Sequence, residues 1–212
     1  MNAVAFAKQN YRKFAFVEGN AHIASQFALI TILRLIDNFG IKSVLEVGLG
    51  IGSIADTVTQ YAVQNQIKIK YVGTEANAYC LESLSKNVGH YAAIEWHREI
   101  SEVPDSTQFD LIIIDGSDEQ LAGIANFCHD KTIIYVEGYR ETQLHEIQRI
   151  FKNCLHANVL SARKNPAYGP FPSDRFGGGG QLIFTNPDLR QKWQWFWEKS
   201  KSYIKRRYRK YL

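Results

Sequence analysis

The sequence predicts an α/β domain, a doubly wound parallel sheet flanked by helices, and three observations predict it. Short apolar runs alternate with stretches of helical periodicity between residues 21 and 185, the pattern of repeated strand–helix–strand units. One run, Asp110-Leu-Ile-Ile-Ile-Asp115, is wholly apolar between two carboxylates, as suits a central strand covered on both faces. Another, Ser43-Val-Leu-Glu-Val47, runs straight into a glycine-rich turn and then a helical pattern.

The elements follow in order. Residues before Ala21 form a helical lead-in. From Ala21 to Phe39, Ile23, Phe27, Ile30, Leu33 and Ile36 recur at intervals of three and four, predicting an amphipathic helix. After the strand 43–47, residues 53–65 read as a helix with Ser53 as N-cap and Asp56 in the first turn. Lys68 to Gly73 is a strand ending at Thr74-Glu75, a helix spans about 78–88, and a weak strand covers Ala93 to His97. Beyond the strand 110–115 come a strand at Thr132–Val136, a helix at Glu141–Cys154, and strands at His156–Arg163 and Gln181–Thr185. The last two are separated by NPAYGPFPSDRFGGGG, which holds three of the five prolines; compact domains keep loops of that length mainly for function. A helix from Asp188 closes the chain, with Trp193, Trp197, Ile204, Tyr208 and Tyr211 near one face. No linker or repeat divides the chain, so residues 1–187 are expected to form one domain and 188–212 a basic, aromatic helix packed on it.

Composition narrows the class. With 45% hydrophobic and 22% charged residues in 212, the chain has the balance of one soluble globular domain. Phe27 to Ile36, its longest apolar stretch, is broken by Thr31 and Arg34, whereas a membrane span needs roughly 20 residues. The N-terminus shows no apolar segment with a small-residue cleavage site. Cys80, Cys128 and Cys154 are widely spaced and odd in number, which fits free thiols in a reducing compartment better than a disulfide framework or a zinc site. A cytoplasmic location is expected. The net charge of +4 hides an asymmetry: from Asp188 onward nine Lys/Arg face two Asp/Glu, leaving about −3 on the rest of the chain.

The chemistry begins at Val44-Leu-Glu46-Val-Gly48-Leu-Gly50-Ile-Gly52-Ser53, where a strand ends, the backbone turns tightly, and a helix starts. Open α/β sheets bind ligands in this crevice. A dinucleotide fingerprint would place its third glycine or alanine at 53, which is Ser, and Glu46 would repel a pyrophosphate but favour a cationic ligand. Glu75 ends the next strand, 23 positions after Gly52, where a carboxylate can accept hydrogen bonds from both ribose hydroxyls.

In this order and spacing, VLEVGLGIGSIA, YVGTEANAYCLESLSKN and FDLIIIDGS resemble the class I S-adenosylmethionine-dependent methyltransferases. The specific motifs cover roughly residues 40–140. The resemblance implies a Rossmann-like seven-stranded, mostly parallel sheet whose last strand is antiparallel. It also implies that Glu46, Gly48, Gly50 and Gly52 contact the methionine portion, Glu75 with neighbouring Ala76 the ribose, and Glu99 the adenine, although Arg98 stands where a glycine commonly precedes that acid. Asp115-Gly116-Ser117 and Glu137-Gly138-Tyr139 would end the fourth and fifth strands, where the acceptor docks, with Asp115 and Gly116 also touching the cofactor. IIIDGS most resembles the catechol-type and sugar-type O-methyltransferases, some of which hold a divalent cation at these two strand ends. Asp115 and Glu137 could supply two oxygen ligands to Mg²⁺, yet Gly138 replaces the usual accompanying Asn or Asp and the histidine of DGDH is absent, so a metal is not favoured.

The implied function is S-adenosylmethionine-dependent methylation of a small molecule, with a hydroxyl acceptor favoured and nucleic acid not expected. Asp115, Glu137 and His22 are the candidate bases, ahead of Tyr139. Tyr168, Phe171, Arg175 and Phe176 could wall the acceptor pocket, with Gly177–Gly180 as a hinge. The basic tail is expected to pack its aromatic stripe on the domain; contact with anionic lipid headgroups or with nucleic acid are its other readings. Rival functions are a non-catalytic scaffold on the same fold, a polyamine synthase-like enzyme and a nicotinamide-dependent enzyme.

Overall fold

In the computed structural model, which describes residues 1–116 and 121–211, seven strands make one sheet. They are β1 (Ser43–Val47), β2 (Lys70–Thr74), β3 (Ile94–His97), β4 (Phe109–Ile114), β5 (Cys128–Glu137), β6 (Leu155–Leu160) and β7 (Gly179–Phe184). Their order across the sheet is β3-β2-β1-β4-β5-β7-β6, and β7 runs antiparallel to both its neighbours while the other pairings are parallel. The helices are α1 (Ala3–Phe14), α2 (Gln26–Phe39), α3 (Ser53–Gln64), α4 (Ala78–Asn87), α5 (Glu141–Ile150) and α6 (Leu189–Tyr208). Ser117 lies outside the described residues.

Alternation along each strand splits the core. Val44, Tyr71, Leu111, Ile113 and Tyr135 pack with α1 to α4 on one face. Leu45, Val47, Ile112, Ile114, Ile134 and Val136 pack with α5 and the short turns at Ile100–Glu102 and Leu121–Phe127 on the other. Because strands buried on both faces need apolar side chains at every position, β4 reads as a continuous run rather than an alternating one. The chain moves outward from β1 to β3, then returns to β4 on the opposite side of β1. That reversal opens a crevice beyond the carboxyl ends of β1 and β4.

Several boundaries differ from the sequence reading, each for a local reason. The helix expected from Ala21 starts at Gln26, because Ser25 Oγ caps it by accepting from Ala28 N (3.2 Å), and only a single tight turn covers Asn20–His22. Ser53 is not an N-cap: Gly52 takes that position at φ 93°, and Ser53 Oγ accepts from Ala24 N (3.0 Å), tying α3 to the segment before α2. The helix expected to reach Cys154 ends at Ile150.

The largest difference is in α6. The stripe expected to pack on the domain faces solvent, with Trp193 75% exposed and Tyr211 88%. The opposite face docks instead, on the outer edge of β6. Trp195 Nε1 donates to His156 O (2.8 Å), Ser202 Oγ to Asn158 O, and Lys205 Nζ to Leu160 O (2.7 Å). Carbonyls at alternate positions of an edge strand point outward and would otherwise invite pairing with another chain. Satisfying them demands polar side chains on the inward face of the helix, so its apolar residues lie elsewhere.

A buried polar pin fixes α1 over the strand-to-helix turn. Asp56, fully buried in α3, accepts from Lys13 Nζ (2.7 Å), Gln60 Nε2 (2.7 Å) and Gly89 N (2.8 Å). Asn10 Nδ2 donates to Thr57 Oγ1 (2.7 Å) beside it. Replacing Asp56 by Ala orphans these donors and should cost about 2–3 kcal/mol. Urea denaturation checks this; a loss under about 0.5 kcal/mol would show that the pin contributes little to stability.

Candidate functional site

A cavity of about 590 Å³ opens at the switch point, within the size range of small-molecule and cofactor sites. Its floor is the turn after β1. Gly48 adopts φ 93°, and a Cβ there would lie 2.5 Å from Gly116 N, so the turns after β1 and β4 touch backbone to backbone. Gly48 N and Leu49 N both donate to Thr74 O (3.0 and 2.9 Å), which pins the turn to the end of β2. Gly52 serves a different purpose: it faces Val88 and Leu84 and lets α3 approach α4, away from the cavity.

Glu75 stands on the cavity wall, with both carboxylate oxygens oriented by backbone. Oε2 accepts from Gly50 N (2.7 Å) and Oε1 from Asn77 N (2.8 Å). Each oxygen retains a second lone pair for a ligand hydroxyl. Cys80 also lines this wall, and burial followed by the nearby Glu75 charge pushes its thiol up to about 11, so it is no nucleophile at neutral pH.

Beneath the turn lies Glu46, fully buried and outside the cavity lining. Tyr71 O–H donates to its Oε2, while Oε1 has no hydrogen-bond partner among the described residues. Burial, reinforced by the charges of Asp115 and Glu75 and opposed by the Tyr71 hydrogen bond, raises its pKa well above the carboxylate range.

Across the cavity, the ends of β4 and β5 bring Asp115, Gly116 and Glu137 together. Arg140 clamps both ends: Nη2 donates to Asp115 O (2.8 Å), Nη1 to Gly116 O (2.7 Å) and Nε to Glu137 O (3.0 Å). Its guanidinium also lies 3.7 Å from Asp115 Oδ1. Glu137 Oε1 accepts from Ser25 Oγ (2.7 Å), so the residue that caps α2 also anchors this carboxylate. Burial first, then the Glu137 charge, push the Asp115 carboxyl up to about 8, with Arg140 opposing.

The excursion 165–178 folds back over the cavity. Asn165 N donates to Arg175 O (2.9 Å) and Gly177 N to Arg163 O (2.8 Å), closing a small hairpin. Phe171, Arg175 and Phe176 line the cavity as expected, whereas Tyr168 packs on Phe16 (6.0 Å) and Tyr11 (6.2 Å) and fastens the hairpin to α1. Gly179 and Gly180 are paired strand residues of β7 and cannot serve as the hinge expected of Gly177–Gly180.

Of the predicted residues, His22, Gly48, Gly50, Glu75, Asp115, Gly116 and Glu137 line the cavity; Glu46, Gly52, Ala76 and Glu99 do not. His22 stands exposed at the rim, and its carbonyl is 2.5 Å from where a Cβ on Gly50 would be. Glu99 is exposed beyond β3 and accepts from Ser101 Oγ (3.3 Å). Sequence reasoning missed Arg140 and Ser25; their signal was a cation three residues after the acid of β5 and a serine opening an apolar helix.

Mg²⁺ does not suit this arrangement. Only Asp115 and Glu137 offer carboxylates at these strand ends among the described residues, where no group of three His, Cys, Asp or Glu is arranged to hold a metal. A divalent cation on Asp115 would also sit against the Arg140 guanidinium.

No protein-family model and no curated protein sequence matches this chain. Solved structures do resemble it. A candidate O-methyltransferase from Klebsiella pneumoniae is 12% identical, with 88% of this chain and 91% of that one aligned and a TM-score of 0.61. The O-methyltransferase from Bacillus cereus in complex with SAH is 13% identical over 85% and 90% of the two chains, with a TM-score of 0.58. The O-methyltransferase TomG from Streptomyces achromogenes, in complex with SAM, is 12% identical over 88% and 91%, with a TM-score of 0.55. The chain has the Rossmann-like, seven-stranded fold of these methyltransferases, with β7 antiparallel as expected. Among the described residues no helix is long and apolar enough to cross a membrane.

The raised Asp115 pKa has a signed consequence. Between pH 4 and 8 the folded chain holds a proton that the unfolded chain has lost, so this group's contribution to stability falls as pH rises. Asp115→Asn cannot ionise and should gain stability relative to the wild type from pH 5 to pH 8. Urea midpoints at both values test this; parallel midpoints would refute it.

Proposed function

We propose that this protein is an S-adenosylmethionine-dependent methyltransferase acting on a small-molecule acceptor, with a hydroxyl favoured. The observation that carries the reading is Glu75, presented to the cavity by Gly50 N and Asn77 N with lone pairs left for two ribose hydroxyls. The fold shared with O-methyltransferases described in complex with SAM or SAH supports the same ligand. So does the acidic lining: Glu75 and Glu137 on the cavity wall favour a cationic sulfonium and amine over a pyrophosphate.

When bound, S-adenosylmethionine supplies an electrophilic methyl group on a good leaving group, so most of the protein's task is in-line positioning. Gly48 and Gly116 leave backbone without side chains where the ligand approaches, and Glu75 fixes its ribose. Asp115, its pKa pushed up to about 8 by burial and the Glu137 charge, takes the acceptor hydroxyl's proton as the oxygen attacks. Arg140 holds Asp115 in place and supplies the positive charge that a metal would bring elsewhere. Phe171 and Phe176 wall the acceptor side.

Calorimetric titration with S-adenosylhomocysteine should give micromolar binding, weakened roughly 10- to 100-fold in Glu75→Ala. No binding to folded wild-type protein, or preferential binding of NADH, would sink the reading. Once an acceptor is found, EDTA should leave turnover unchanged, and Asp115→Asn should lower kcat by roughly 10²-fold or more. Full activity in that variant would remove Asp115 from the role of base.

A further inference from the structure

Helix α6 presents its apolar side outward and cannot turn it inward. Its inner face is committed to the edge of β6 through Trp195, Ser202 and Lys205, and Arg209 extends the contact by donating to Ser161 O (2.8 Å) and Gly178 O (3.1 Å). On the opposite side Leu189, Trp193, Phe196, Trp197, Tyr203 and Ile204 are all more than half exposed. At 100° per residue they fall within one stripe along a helix of 20 residues, a length of about 30 Å. Lys192, Lys199 and Arg206 border the stripe on one flank, Arg190 and Lys201 on the other. Scattered exposed hydrophobics need no explanation, but a continuous stripe of this size marks a contact surface.

The surroundings say what covers it. Next to α6, a second cavity of about 260 Å³ lies between α1, α2 and residues 161–166. Lys8, Arg34, Arg163, Lys164 and Lys205 line it, and no Asp or Glu does. Lys205 and Arg34 also line the neighbouring groove that leads to Trp197 and Lys201 at the border of the stripe. The partner must therefore be apolar where it meets the stripe and anionic on its flank. A second copy would oppose one segment of net charge +7 with another. Leu189 and Ile204 have nothing to stack on in a nucleic acid, whereas Trp, Tyr and aliphatic side chains flanked by Lys and Arg suit the boundary between headgroups and acyl chains.

We propose that α6 docks this protein on anionic phospholipid membranes, with the aromatic stripe at headgroup depth and a lipid phosphate entering the basic cavity. The full-length protein should co-sediment with vesicles of phosphatidylcholine and phosphatidylglycerol but not with phosphatidylcholine alone, and salt should weaken the binding. Trp193→Ser/Phe196→Ser/Trp197→Ser changes exposed residues only; it should keep the wild-type circular dichroism and bind the mixed vesicles roughly tenfold or more weakly. Arg34→Gln/Arg163→Gln should lower the preference for the anionic mixture. Equal binding by the triple variant, or no binding of wild type to either vesicle, would overturn the proposal. So would a lipid-free dimer that the triple variant dissolves, which assigns the stripe to a second copy, or tighter binding to single-stranded RNA than to the anionic vesicles. An unchanged lipid preference in the Arg34/Arg163 variant would remove the cavity from the docking surface.

Discussion

The carboxyl ends of β1 and β4 meet with no side chain between them, and the rest of the site is arranged around that contact. Val47 O accepts from both Asp115 N and Gly116 N (2.9 Å each), while the next residue, Gly48, lies against Gly116. Thr74 O receives Gly48 N and Leu49 N from the other side. The turn is thus stitched to β2 and β4 at once, and its backbone is set before any ligand arrives. Such preorganisation lowers what binding must expend on ordering the chain. It also explains why Asp115 and Glu75 face one cavity from opposite walls: each follows a strand whose end is hydrogen-bonded to the same turn.

Charge is the second organising feature, and it is unbalanced. Asp115 and Glu137 approach each other at the ends of adjacent strands, Glu75 and the buried Glu46 stand nearby, and Arg140 is the cation that clamps the pair. Burial disfavours the charged forms of Glu46 and Asp115, helped by the neighbouring acidic charges, and a cationic ligand would favour those charged forms. The site is therefore expected to favour cations and to couple ligand binding to proton release. A dinucleotide's pyrophosphate would meet the opposite field. Arg140 is part of this balance and of the geometry too, since its three donors reach backbone carbonyls on two strands.

Much of this was legible locally. The strands around 43–47 and 110–115, the glycine turn and Glu75 announce themselves because backbone geometry and burial act over a few residues. What escaped the sequence was relational. Glu46 stands two residues before Gly48 and looks like a ligand contact, but strand alternation sends it to the helix-covered face, where Tyr71 finds it. Gly52 looks like part of a ligand cradle, and the constraint it answers comes from Val88, 36 positions away. Arg140 and Ser25 have ordinary sequence surroundings; their roles come from strand order, which places residues far apart in the chain at one edge. The aromatic stripe of α6 misled for a different reason. Periodicity reveals that a helix has an apolar face, but it does not say whether that face or its opposite meets the fold.

The cavity is built from two kinds of structure. The wall proposed for the cofactor comes from strand ends locked by backbone hydrogen bonds. The acceptor side comes from a hairpin held at its margins, by Tyr168 against α1 and by Arg209 over the Phe176 ring at 4.6 Å. Phe176 also lines the cavity, so the far end of α6 touches the wall that would contact an acceptor. Helix α6, pinned along the edge of β6 and reaching Phe176 at its far end, joins the aromatic stripe to the cavity wall. Arg209 is the contact through which a displacement of α6 would reach Phe176. The opposite wall, by contrast, is stitched by backbone hydrogen bonds to β2 and β4.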